Sequence, residues 1–369
     1  MTKPNIILIL ILTSLFTNGQ VKTPAVGGNK KASVSEQIGI TDVTINYDRP
    51  AVKGRDGKIW GNLVHYGFAD LHYGTSKAAP WRAGANENTT FEFTTDVSIE
   101  GKPLSAGKYG FFIAMGEEKA TLIFSHDNNA WGSFFYNPIN DALRVDVTIQ
   151  KLVENVERLK YEFSNQTDTS AVVSLMWEKI RIPLVISVDL KKTQVDAYRY
   201  AINNGNFYRF WQNMQTAADY CLINNINIDE GLIWANRSVN DAFGEANFRT
   251  LTTYAGLLEK VNKQYEADSI MKKALVMGSA DQLYIYAQSL LNLKKNKAAF
   301  EIFKMNYDKF PKTVVANLGM IKVYSAVGNK TEAIKFINKT ISLATNKNAI
   351  DYLESLRIEV KNGKDISDL

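Results

Sequence analysis

Side chains able to recognise a ligand are concentrated between residues 48 and 87 of this 369-residue chain. Guanidinium groups bind planar anions through two parallel hydrogen bonds, and an asparagine amide offers a donor and an acceptor to a hydroxyl group. A tryptophan beside them would supply an aromatic platform. The set that fits this chemistry comprises Arg49, Arg55, Trp60, Trp81, Arg82 and Asn86. It predicts a surface for a carboxylate, a sulfate or a sugar, provided that its arginines and asparagine converge.

The same residues also have a purely structural interpretation. Arginines in loops bond to backbone carbonyl groups, and these could pair with Asp48 or Glu87 without any ligand. The tryptophans would then plug the end of a β-domain. The sequence leaves both interpretations open, and the deciding observation is where Arg82 and Asn86 lie relative to Arg49 and Arg55.

His65, Asp70 and His72 are the densest cluster of metal-ligand residue types. Asp70 and His72 would share one face of an extended segment, and three such ligands can hold zinc with an open position. Their spacing matches no established metal motif, so polar residues of a surface insertion are the favoured interpretation. The sequence therefore predicts neither a metal nor a cofactor, and these three residues are the only candidate metal ligands.

Catalytic patterns are sparse. No serine stands in a Gly-x-Ser-x-Gly elbow, and the chain has three histidines to choose from as a base. The segment Gly54-Arg55-Asp56-Gly57-Lys58 lacks the spacing of a phosphate-binding loop, so Asp56-Gly57 predicts a hairpin turn. Paired carboxylates for glycoside cleavage require knowledge of which strands adjoin. A non-enzymatic function is favoured, with hydrolysis left open.

These residues sit within a segment whose apolar pattern is that of β-strands. From about residue 31 to residue 190 apolar and polar residues alternate, as in Val43, Ile45 and Tyr47, so one face of each strand would be buried. Turn formers such as Glu100-Gly101 separate the strands. Short strands without intervening helices predict an antiparallel β-sandwich over residues 31–190. Pro183 predicts an edge position or a bulge in the last strand.

After about residue 191 the apolar period becomes helical. Residues 191–246 are predicted to be a helical connector, 247–361 a set of helical repeats and 362–369 a tail. Ala333 follows Ala299 by about one repeat length, and a weaker copy precedes them at Ala267. A period near 34 residues with a small residue at the helix crossing resembles tetratricopeptide repeats, in a degenerate form. The fold class is therefore multidomain, all-β followed by an all-α array of helical hairpins.

The first half resembles the bacterial domain-of-unknown-function family 2911. The resemblance is carried by Thr41 to Tyr47, Arg49 to Arg55, Ile59-Trp60-Gly61, Trp81 to Glu87, Ala106 to Gly110 and Trp177-Glu178. It implies an exported bacterial protein that often carries a helical repeat tail, and it implies no established activity. Two departures are the longer segment 68–80 and His65, which stands where the family usually has proline.

The N-terminus has the three-part pattern of a secretory signal peptide. Lys3 precedes an apolar run from Ile6 to Leu12 and then small and polar residues, so residues 1–20 are predicted as the signal peptide and 21–30 as a linker. An uncleaved anchor is the alternative. The protein is expected to be periplasmic or extracellular, with no stable membrane span after cleavage. The single cysteine, Cys221, is expected to be a core residue.

Charge and architecture together indicate the kind of partner. The net charge of +5 is small and its lysines are interleaved with acids, so nucleic acid is not an expected partner. Stacked helical hairpins present a surface suited to extended ligands, which predicts a scaffold that binds a protein or peptide partner. The rival hypothesis is a small-molecule or glycan module built on the arginine-rich surface.

Overall fold

The computed structural model describes residues 28–204 and 209–367. The chain divides into two compact units, Met1–Thr193 and Gln194–Leu369. The predicted fold class is confirmed, because antiparallel sheets form the N-terminal half and ten helices follow within the described residues. The predicted signal peptide 1–20 lies outside the described residues, as does most of the predicted linker 21–30.

Ten strands build the described part of the N-terminal unit, residues 28–193. In chain order they are β1 (Lys30–Ile38), β2 (Thr41–Arg49), β3 (Thr89–Phe93), β4 (Val97–Ile99), β5 (Lys102–Leu104), β6 (Gly107–Met115), β7 (Lys119–Ser125), β8 (Asp141–Thr148), β9 (Gln150–Ser164) and β10 (Ser170–Ser187). One sheet has the order β1-β2-β3-β6-β7-β8 and the other β5-β4-β10-β9. A 3₁₀ turn at Pro138–Asn140 precedes β8.

A single hydrophobic core lies between the two sheets. Alternate residues of both sheets enter it, among them Val43 and Ile45 of β2, which are fully buried. Phe91 packs against Phe111 and Phe124, with ring centroids 4.6 and 5.5 Å apart. The alternation read in the sequence therefore reports which face of each strand is buried.

The longest strand, β10, changes partners along its length. It pairs with β9 from Val172 to Arg181 and with β4 at Ile186 and Ser187. Pro183 lies between these two ladders, where its missing N–H interrupts neither of them. A bulge at Glu178, whose φ is +51°, shifts the register with β9 and sets the direction of Trp177.

Ten helices follow the last strand. They are α1 (Leu190–Asn204), α2 (Trp211–Asn224), α3 (Ile228–Asn240), α4 (Phe248–Lys260), α5 (Gln264–Met277), α6 (Ala280–Asn292), α7 (Asn296–Lys309), α8 (Val314–Ala326), α9 (Lys330–Leu343) and α10 (Lys347–Lys361). The predicted connector 191–246 holds α1 to α3. These helices share a core with α4 in which Cys221 is fully buried, and burial raises the pKa of its thiol to about 11.

Three successive helical hairpins have the same construction. Each pair, α4–α5, α6–α7 and α8–α9, is joined by three residues, and the middle one has a positive φ: Asn262, Lys294 and Gly328. Ala267, Ala299 and Ala333 are each the fourth residue of the second helix and are fully buried. A small residue there lets neighbouring helices approach closely, as the sequence repeat predicted.

The segment predicted as a tail is packed in the structure, up to its last described residue. Helix α10 ends in a Schellman motif, in which Gly363 has a φ of +85° and the N–H of Lys364 bonds to the carbonyl of Glu359 at 3.1 Å. The chain then turns back over the array. Ile366, 1% exposed, joins the core of the repeats, so residues 364–367 form a return segment.

No helix in the described part of the chain is both long and apolar enough to cross a membrane.

Candidate ligand pocket of the β-sandwich

A cavity of about 270 Å³ opens at one end of the sandwich. Its walls come from Asn29 before β1, the loop after β2, the segment 63–85, Ser133 and one residue of β10. The polar and aromatic side chains that line it are those of Asn29, Arg55, His65, Trp81, Arg82, Ser133 and Trp177. Clefts of this kind, with a few convergent polar groups, are the usual location of small-molecule sites.

The segment that carries Trp81 and Arg82 is held rigidly against the large sheet. Trp81 exchanges two backbone hydrogen bonds with Ile113 of β6, at 2.9 and 2.8 Å. Ala83 follows with a φ of +53°, and its carbonyl accepts hydrogen bonds from the hydroxyl groups of Thr89 and Tyr161 at 3.0 and 2.9 Å. A side chain on Gly84 would meet Thr89 at 2.9 Å. These constraints fix Arg82 within the cavity wall.

Three tryptophans form one cluster beside the cavity. Trp81 and Trp177 lie nearly parallel with ring centroids 6.1 Å apart, and Trp60 meets both rings edge-on at 5.7 Å. The indole nitrogen of Trp81 donates to the carbonyl of Gly84 at 3.2 Å. Those of Trp60 and Trp177 are buried without an acceptor among the described residues. Buried donors of this kind are uncommon, because each costs free energy when it leaves water.

Two guanidinium groups line the cavity, and they are held differently. Arg55 donates to the carbonyl oxygens of Val52 at 2.9 Å and Ala51 at 2.6 Å. The side chain of Arg82 makes no hydrogen bond or ion pair with any residue that the structure describes, and its Nε is buried. Burial lowers the pKa of Arg82, and the nearby Asp48 carboxylate opposes that shift. The cavity thus contains a charged group whose protein partners are missing from the described structure.

The structure brings together only part of the predicted binding set. Arg55, Trp81 and Arg82 line the cavity, and Trp60 packs behind it. Arg49 instead donates to the carbonyl of Leu159 at 2.9 Å, and Asn86 donates to Asp48 at 3.1 Å. These contacts of Arg49 and Asn86 are of the kind that the structural interpretation describes.

A neighbouring cavity of about 320 Å³ contains an acidic pair. Asp48 is 3% exposed, and burial raises its pKa. Glu87 forms an ion pair with Lys31 at 3.0 Å, and this contact helps to lower the pKa of Glu87 against the opposing effect of burial. Asp48 accepts a hydrogen bond from Asn86, whereas the buried Oε2 of Glu87 has no hydrogen-bond partner among the described residues.

The three candidate metal ligands are arranged as follows. Asp70 accepts hydrogen bonds from the backbone N–H of His72 at 2.8 Å and from Lys77 at 3.1 Å, which lower its pKa. His65 lines the cavity instead, with its Nδ1 buried and unpartnered. Over residues 28–204 and 209–367, no group of three histidine, cysteine or acidic side chains is placed to hold a metal ion.

Sequence reasoning missed Ser133 and Trp177 as cavity residues and treated His65 only as a metal candidate. Trp177 comes from β10, almost one hundred residues after Trp81, and only the pairing of strands reveals their proximity. The tryptophan and glutamate at 177 and 178 did stand out as part of the family resemblance. That resemblance was the one feature of the sequence that could have pointed to Trp177.

Comparison with known proteins identifies a family for the N-terminal half of the chain. Residues 29–186 match the model of the family described as "Protein of unknown function (DUF2911)", which confirms the resemblance of the N-terminal half. No curated protein sequence matches the chain.

Solved structures similar to the C-terminal helical region include two tetratricopeptide repeat proteins. YrrB, described as "a TPR protein with an unusual peptide-binding site", is 12% identical over 45% of this chain and 84% of that chain, with a TM-score of 0.28. A tetratricopeptide repeat protein from Parabacteroides merdae is 18% identical over 47% and 65%, with a TM-score of 0.30. The MamA protein is 18% identical over 42% and 87%, with a TM-score of 0.26.

Proposed function

We propose that this protein is a non-enzymatic scaffold that binds an extended peptide of a partner protein on the first helices of its repeats. One observation carries the proposal: the return segment 364–367 already lies across α6 and α8. These are the first helices of two consecutive hairpins. A surface that accommodates one extended segment of chain has the chemistry to accommodate another.

Side chains of the array bond to the main chain of the return segment. Ser325 of α8 accepts from the N–H of Ile366 at 2.9 Å, and Gln288 of α6 donates to the carbonyl of Ser367 at 2.9 Å. Ser325 also donates to the carboxylate of Asp365 at 3.3 Å. Main-chain contacts supply affinity with little dependence on sequence, while a buried side chain supplies specificity. The expected ligand is therefore an extended peptide with an acidic residue followed by an aliphatic one.

The experiment uses a variant that lacks residues 364–369 and a fluorescent peptide, KNGKDISDL, that corresponds to residues 361–369. We expect saturable binding by fluorescence anisotropy to the shortened chain and weaker binding to the full chain, whose own return segment competes for the surface. Replacement of the isoleucine in the peptide by aspartate should abolish binding, and Ser325→Ala in the shortened chain should weaken it.

A second variant protects the test against misfolding. Ile366→Asp in the full chain places a charge in an apolar site and should release the segment while α10 stays intact. If either variant keeps its helical circular dichroism but fails to bind the peptide, the segment is a structural brace and the proposal is wrong.

We propose in addition that the protein is exported. The support is the signal-peptide pattern of residues 1–20, which lie outside the described part of the chain. N-terminal sequencing of protein recovered from the bacterial envelope or medium should begin near residue 21. A sequence that begins at Met1 or Thr2 would contradict export by cleavage.

A further inference from the structure

The cavity of the β-sandwich has an excess of positive charge. Arg55 and Arg82 both line it, together with the imidazole of His65. Among the described residues that line the cavity, none is acidic. Asp48 is the carboxylate that acts on Arg82 electrostatically, but it accepts from Asn86 and forms no ion pair with Arg82 within the described structure. An anion inside the cavity would meet attraction from more than one side.

Hydrogen-bonding capacity shows the same imbalance. The Nε of Arg82 and the indole nitrogens of Trp60 and Trp177 are buried donors with no acceptor in the described structure. The carbonyl groups that hold Arg55 satisfy some of its donors but leave its charge in place. A buried donor without a partner costs stability. Arg82 and Trp177 both line the cavity, and the side chain of Arg82 has no acceptor among the described residues.

The dimensions and remaining walls limit the ligand. A volume of about 270 Å³ holds roughly nine water molecules at about 30 Å³ each. Leu63, Leu71 and Pro80 add apolar surface to the lining, as does the indole of Trp81. This combination suits a small organic molecule with one anionic end and a ring.

We propose that this cavity binds a small organic acid through its carboxylate. The planar guanidinium of Arg82 matches a carboxylate in two parallel hydrogen bonds, and Arg55 adds charge from a fixed position. The ring of the ligand packs against Trp81 and the apolar wall. Because the cavity is built entirely from the sandwich, this function is separate from peptide binding by the helical repeats.

Binding can be measured with four probes at constant ionic strength: sodium benzoate, sodium D-glucuronate, and their neutral counterparts benzamide and glucose. We expect at least one carboxylate to raise the melting temperature in a saturable manner and its neutral counterpart to have no effect. Isothermal titration should give at least tenfold weaker binding for Arg82→Gln. Arg82→Lys keeps the charge but loses the planar guanidinium group, so its binding of the carboxylate should be weakened to a similar degree.

The control variant is Arg181→Gln, which removes an arginine that bonds to Ser174 and Gln150 in the same domain. It should bind the carboxylate as the natural protein does. The proposal is overturned if neither carboxylate binds, if Arg82→Gln binds undiminished, or if Arg82→Lys is equivalent to arginine. Sodium sulfate is titrated in parallel, and tighter binding of sulfate would replace the carboxylate by a tetrahedral anion.

Discussion

At the scale of single residues, the two cavities of the sandwich each contain a half-buried or buried ionisable side chain, Arg82 in one and Asp48 in the other. Arg82 has a charge without a partner in the described structure, whereas Asp48 is a buried carboxyl group whose pKa is raised by that burial. A charge taken out of water is costly unless it is paired. The two cavities therefore differ in kind: one has surplus donors, and the other has surplus acceptors.

The raised pKa of Asp48 leads to a prediction of how the stability of the protein depends on pH. Burial disfavours the ionised form, so the native state holds the proton of Asp48 at pH values where the unfolded chain has lost it. The contribution of this residue to stability is therefore greatest below the ordinary aspartate pKa of about 3.9, and it falls as the pH rises through the raised value. Glu87, whose pKa is lowered, acts in the opposite direction.

We expect Asp48→Asn to remove the aspartate part of this dependence. Its unfolding free energy relative to the natural protein should increase between pH 3 and pH 7, by about 1 kcal/mol for each unit of pKa shift removed. Urea unfolding followed by tryptophan fluorescence measures it, with the exposed Asp42→Asn as the control. A difference that stays constant with pH would show that Asp48 is not held in its protonated form.

At the scale of elements, the sequence predicts those strands whose buried face is continuous. Val43, Ile45 and Tyr47 identify β2, because the alternation of apolar residues follows one buried face. β1 alternates more weakly, since Ala32 and Val34 are only partly buried and the next inward position is the polar Glu36. An edge strand that packs weakly carries little hydrophobic signal, so its detection required the structure.

The candidate site shows the same limit at a larger sequence separation. Arg82 and Trp81 stand out by residue type, but the arrival of Trp177 beside them depends on the register of β10. That register is displaced by the bulge at Glu178, and the Glu178 carboxylate accepts a hydrogen bond from the N–H of Gly57. No local pattern of residues encodes such a displacement, because it is set by contacts between segments far apart in the chain.

The matching turns of the three hairpins provide a test of the repeat at this scale. Gly328 has a φ of +75°, and a side chain there would meet no atom within 4 Å, so alanine would bring backbone strain alone. We expect Gly328→Ala to lower the free energy of unfolding by about 1 kcal/mol. Asn262 occupies the equivalent position with a φ of +61°.

Asn262→Gly is the matched variant, and it should change stability by only a few tenths of a kcal/mol, because asparagine tolerates this conformation. Both are measured by urea unfolding monitored by circular dichroism. Equal destabilisation by the two substitutions would indicate that the turns are not equivalent in their backbone requirement.

At the scale of the whole molecule, the change of periodicity near residue 190 corresponds to a change of core. β10 ends at Ser187 and α1 begins at Leu190. Leu190 is the last residue packed on the sandwich core, and the helical cores begin at Val195. The packing of the return segment could not be predicted from the sequence. Its few residues are mostly polar, and a single apolar residue, Ile366, cannot form the repeating apolar pattern that indicates a buried face.

Separate cores predict separate unfolding transitions. Tryptophan fluorescence is weighted towards the sandwich, which contains four of the six tryptophans, whereas circular dichroism at 222 nm reports mainly on the helices. Phe111→Ala should lower the free energy of unfolding of the sandwich by about 3 to 5 kcal/mol. Ile337→Ala should lower that of the helical unit by about 2 to 5 kcal/mol. Both side chains are almost fully buried in their own core. Each substitution should leave the other transition in place, because it creates a cavity in only one core. If either variant shifts both signals together, the two units unfold as one cooperative structure.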